Sequence, residues 1–120
     1  MSDRDYLMTA IKVWAAAAWA DGVIVESEAM TMRAIIAVAK ISEEQRQVAL
    51  GWLDTKVSLE DVELPNIPQA ERAHIYSVAC GMVAFDQDVA GAERAFVDRL
   101  GKALALSDAD MKKARDGAGL

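Results

Sequence analysis

Cysteine is nearly missing from this chain: Cys80 is alone, so no disulfide can close within it, and a reducing compartment is the expected setting. Histidine is as scarce, with His74 its one example. Glu71-Arg72-Ala73-His74 has the Glu-x-x-His spacing of di-iron bundles, but that site needs a second such motif. A solvated or edge histidine is the expected reading. The two prolines, Pro65 and Pro68, fall together and leave the rest of the chain free of proline breaks. Bases are outnumbered, 13 against 19 acids, for a net charge of −6. A general nucleic-acid binder needs a basic face to neutralise phosphates, so the charge argues against that class. No apolar run is long enough for a membrane. Val13 to Ala20 is eight residues, where a bilayer takes roughly 20. Asp3 and Asp5 occupy the place of a signal peptide's basic segment. A cytoplasmic protein without membrane insertion is expected.

What the chain does hold is alanine and aliphatic residues. Apolar residues make up 53% of its 120, aromatics only 6%. Alanine has the best helix propensity and lets backbones approach closely. Leu7, Ile11, Trp14 and Ala18 share a stripe on a first helix from about Asp3 to Ala20, stopped by Gly22. A second helix spans Glu26 to Lys40, with Met32, Ile35, Ile36 and Ala39 on one side. Ser42-Glu43-Glu44-Gln45 reads as a capping box that opens a third, carrying Val48, Leu50, Trp52 and Leu53. Lys56 to Asn66 reads as a connector with one helical turn at Leu59 to Val62. Pro68 to Phe85 and Gly91 to Ala105 give the fourth and fifth helices, and Ser107 caps a short sixth. The tail from Gly117 should fray. No segment alternates like a half-buried strand. The chain is predicted to be all-α.

A shift of 65 residues lays Asp21 on Asp86, Glu28 on Glu93, Ile35 on Leu100, Ile41 on Leu106 and Ser42 on Ser107. The matches fall at corresponding helix junctions. They predict one domain over 1–120, made of two pseudo-two-fold related three-helix repeats, about 3–55 and 68–116, around a connector at about 56–67. Ala20-Asp21-Gly22, then Glu28, then an apolar helix ending before Ile41-Ser42, resembles the TerB-like family of tellurite-resistance proteins. Asp86, Glu93 and Leu106-Ser107 look like that family's second repeat, apart from Gln87, which stands where a glycine would follow the aspartate. The resemblance covers roughly residues 7 to 115. It implies an all-helical duplicated fold, a link to tellurite and other stress resistance, acidic clusters proposed to bind metal ions, and kinship with domains found beside J-domains in co-chaperones.

Two roles stand open for the acidic turns. Glu28 shares its helical face with Thr31, Met32, Ile35 and Ile36, and Glu93 shares its face with Phe96, Val97 and Leu100. Such carboxylates aim toward the core and need partners. As structural groups, Glu28 and Glu93 would sit near the third position of their helices and accept from free backbone N–H groups, and Asp21 and Asp86 from their turns. As ligands, Asp21, Glu28, Asp86 and Glu93, with Glu26 and Asp88 in lesser roles, would hold a hard divalent cation such as Ca²⁺, Mg²⁺ or Mn²⁺. Cys80, in "SVACGMVAF", reads as a core residue with no activating neighbour. With no phosphate loop, nucleophile elbow or zinc spacing, no enzyme is expected. Trp14 is expected in the core. Trp19 lies off the main stripe, so it contacts a neighbouring helix or joins a docking surface. The alternative to ion binding is an adaptor that meets a protein partner through an acidic or Trp/Met-lined groove, its acids serving only as helix caps.

Overall fold

The computed structural model describes residues 5–20, 22, 24, 26–85 and 91–119. They form six α-helices: α1 (Asp5–Ala18), α2 (Glu26–Val38), α3 (Glu43–Gly51), α4 (Gln69–Phe85), α5 (Gly91–Ala103) and α6 (Asp108–Ala118). Two 3-10 turns, Leu59–Asp61 and Leu64–Asn66, lie in the connector, where the sequence predicted one. No strand occurs among the described residues. The fold is all-α, as the sequence predicted. Its radius of gyration is 13.3 Å, close to the roughly 13.6 Å of a compact chain of this length.

The alanine run explains the architecture. Ala15, Ala16, Ala17 and Ala18 are each no more than 1% exposed. Four consecutive residues sweep through more than a full turn of helix, so α1 is surrounded there. It packs against α2, α3, α4 and α5 and serves as the central strut. Short side chains permit that crowding, because methyl groups alone separate the backbones. Trp14 corrects the expectation of full burial. It is half-buried because its indole N–H donates to the Ile75 carbonyl of α4 at 3.1 Å, which holds the ring at the helix seam. Trp19 packs on a neighbour: its N–H donates to the Trp52 carbonyl at 2.7 Å, linking the end of α1 to the end of α3. The Lys12 ammonium lies 5.5 Å from the Trp52 ring centroid on the same seam.

Helix ends follow local chemistry. Gly22, at φ 90°, donates its N–H to the Trp19 carbonyl and turns the chain out of α1. No glycine follows α2, and Arg46 of α3 supplies the stop. Its guanidinium donates to the Ile36 carbonyl and to that of Ala37 at 3.2 Å. The capping box of α3 is present as read: Gln45 N–H donates to Ser42 Oγ at 3.1 Å, and Ser42 N–H to Gln45 Oε1 at 3.0 Å. α3 is shorter than predicted, and Trp52 follows it as a turn residue. α5 also stops short, because Ala105 takes φ 60° and Leu106 N–H closes back on the Gly101 carbonyl at 3.1 Å. α6 runs on to Ala118 through the tail predicted to fray, since Gly119 at φ 82° provides a left-handed cap. Val57, Val62 and Ile67 bury the connector against the bundle. Arg72 ties it down by donating to the carbonyls of Ile67 at 3.1 Å and Leu104 at 3.3 Å.

Candidate functional site

Glu28 is the one buried charged residue among those described, at 1% exposed. It occupies the first turn of α2, where apolar Ala29, Met32 and Ile36 on the same side draw the helix onto the core and take the carboxyl group with them. Glu28 is engaged by an interaction within the fold, and a charged group at that depth costs free energy unless it is compensated. Glu26, two residues earlier, points the other way. It is exposed and faces Arg33 across 3.6 Å, so it does not join Glu28. Asp21, Asp86 and Asp88 lie outside the described residues, as does the side chain of Glu93. Among the described residues, no three His, Cys, Asp or Glu side chains come together as a metal-ligating group.

Glu28 does meet an apolar cleft. α2 contributes Glu28, Thr31 and Ile35 to one wall, and α4 contributes Val78, Gly81 and Met82 to the other, around about 340 Å³. The cleft exists because α2 leans mainly on α1 and α3 and touches α4 only lightly. Gly81 is exposed, with open space where a side chain would stand, so the α4 wall is low at that point. Thr31 donates its hydroxyl to the Ser27 carbonyl at 3.0 Å, which leaves its oxygen lone pairs available. Val38, 81% exposed, lies three residues beyond Ile35 and prolongs the apolar wall. Met30 is also exposed, whereas Met32 is fully buried, so the two methionines do not share a surface.

Sequence reading located Glu28 and missed Thr31, Val78 and Gly81 as cleft residues. The available signals were a glycine inside an apolar helix and an apolar Val38 off the buried stripe.

His74 is exposed on α4. Cys80 is buried one helical turn after buried Tyr76, and burial pushes both the thiol and the phenol above their ordinary ranges. A thiol held protonated and out of solvent is a poor nucleophile. We therefore expect Cys80 to react with an aromatic disulfide reagent at pH 8 only as fast as the protein opens. Urea above the unfolding midpoint should release the full reaction. Prompt labelling of the native protein would contradict the burial.

Comparison with protein families gives a match to the family described as protein of unknown function DUF533, over residues 3–116. The chain belongs to the DUF533 family. The match spans all six helices of this DUF533 chain apart from the last two residues of α6, and includes the whole α2–α4 cleft. DUF533 is a TerB-like family, so the resemblance to tellurite-resistance proteins holds at that broader level; the match itself gives no direct assignment to TerB. Comparison with curated proteins and with solved structures finds no match for the DUF533 chain.

Proposed function

We propose that this protein is a non-catalytic cytoplasmic recognition domain that seats an amphipathic helix of a partner protein in the α2–α4 cleft. The observation that carries this reading is an apolar cleft with oxygen acceptors at one end, Glu28 and Thr31, and exposed Val38 at the other. From Glu28 to Val38 the α2 wall runs about 15 Å at 1.5 Å per residue, which matches two to three turns of a docked helix. Helix-in-groove recognition uses apolar anchors at i, i+4 and i+7, and Ile35, Val78 and Met82 suit such anchors. Gly81 allows the partner's backbone to come close. A basic side chain on the docked helix suits both the net charge of −6 and the Glu28 end.

The test uses a labelled amphipathic peptide with leucines at i, i+4 and i+7 and a flanking lysine, followed by fluorescence anisotropy. Binding should weaken at least about tenfold, roughly 1.4 kcal/mol, when the lysine becomes glutamate or when Val78→Asp is made in the protein. Val78 is only half-buried, so the variant should keep its fold by circular dichroism. Equal binding of both peptides, or indifference to Val78→Asp, would remove the reading.

The burial of Glu28 also favours a second reading, a stress-responsive cation site in which Asp21, Glu28, Asp86 and Glu93 ligate Ca²⁺, Mg²⁺ or Mn²⁺. Oxygen-only donors suit those hard ions. Calorimetric titration should then give heat and a raised melting temperature, both lost in Glu28→Gln. No heat with any of the three ions would leave Glu28 as a helix-terminal structural group.

A further inference from the structure

Against a net charge of −6, a cleft between α5 and α6 is basic. Arg94 of α5 and Lys112 and Arg115 of α6 line about 330 Å³ between those helices, with Val97 and Asp116. Lys112 shares its charge with Asp116 at 2.6 Å. Asp98, one turn beyond Arg94, is held by Lys102 at 3.0 Å. Among the described residues, neither Arg94 nor Arg115 makes an ion pair or a hydrogen bond. Arg115 is half-buried and lies in the last turn of α6, where a cation complements the helix dipole. Arg94 has no such account. It stands next to the first turn of α5, where the positive helix end disfavours a cation and favours an anion.

We propose that this cleft binds a small organic phosphate, its dianionic head between the Arg94 and Arg115 guanidinium groups and its organic portion over Val97. Guanidinium forks match phosphate oxygens in pairs, and the nearby Lys112 ammonium adds a rotatable donor. The space exceeds that of a bare phosphate, and Val97, 2% exposed, provides an apolar base at its inner side. The Asp116 carboxylate repels an anion but remains engaged by Lys112. A carboxylate ligand carries one charge where the phosphomonoester carries nearly two at neutral pH, so the phosphate gains more from two arginines. This site is separate from the α2–α4 cleft and its proposal does not depend on that reading.

The experiment follows backbone amide shifts of the intact protein during titration with phenyl phosphate, inorganic phosphate and phenylacetate at fixed ionic strength. Phenyl phosphate should bind most tightly and move amides of 94–97 and 112–116. Arg94→Gln and Arg115→Gln should each weaken it by about tenfold or more, with melting temperatures close to the parent's. Vesicles of phosphatidylcholine with and without phosphatidate form the second arm and separate a lipid headgroup from a free phosphate. Soluble phenyl phosphate should compete with any phosphatidate binding. No saturable binding of phenyl phosphate at millimolar concentration, binding unaffected by Arg94→Gln, or binding to phosphatidate vesicles alone would each overturn the proposal.

Discussion

Ala17→Leu should lower the melting temperature by about 10 °C, from a loss of roughly 2–3 kcal/mol. Ala17 has no exposed surface, and both its sequence neighbours are buried as deeply. A leucine there adds three carbons to a helix that packs against four others, and close-packed interiors have no void to receive them. The added atoms must displace α1 from its neighbours or force an off-rotamer side chain. Leucine's helix propensity is nearly alanine's, so the loss reports packing and little else. Ala37→Leu on the exposed side of α2 provides the control, since the same substitution there meets solvent. Urea unfolding of the two variants should separate them. If Ala17→Leu melts with Ala37→Leu and with the parent, α1 is not the central strut described here.

Gly101→Val should destabilise by about 3 kcal/mol, and its partner can be named in advance. A Cβ at Gly101 would stand 2.5 Å from Met111 Cε, 2.8 Å from Sδ and 2.9 Å from Cγ. The far end of a methionine can swing away, but clearing Cγ takes a change of χ1 in a side chain that is buried. Alanine at this position would gain about 1 kcal/mol of helix propensity against that clash; β-branched valine keeps the clash and loses most of the gain. Met111→Ala alone should also cost about 2–3 kcal/mol, because its side chain is buried. Combined, the two should cost less than their sum by about 1 kcal/mol or more. A simple sum would mean that Gly101 and Met111 do not share a contact.

These two positions show what the sequence made legible. The alanine run announced close helix packing, since alanine favours the helix and keeps no bulk between backbones. Ser42-Glu43-Glu44-Gln45 announced its cap, because that box is satisfied by residues three apart. Glu28 was readable as core-facing from helical spacing alone. Gly101 was not readable, because a glycine within a helix looks like a weakness until the crossing with Met111 gives it a purpose. The α2–α4 cleft was hidden for a similar reason. Ile35 and Val78 belong to helices distant in sequence, and only the packing of α2 and α4 shows that they leave space between them. Arg46 ending α2 and Ala105 ending α5 also escaped a reading that looks for glycine at helix stops. Of the acidic turns, Glu28 is now placed in a cleft wall, and Glu26 belongs to the surface with Arg33.

Our central proposal is that the α2–α4 cleft holds a partner helix. A methyl-labelled spectrum of the protein, titrated with the lysine-bearing amphipathic peptide, tests that directly. The methyl groups of Ile35, Val38, Val78 and Met82 should shift together and saturate at one affinity, while exposed Val48 on α3 and buried Met111 under α5 stay in place. Shifts centred on Val48 or Met111, or no shift at concentrations where the peptide is bound, would contradict it.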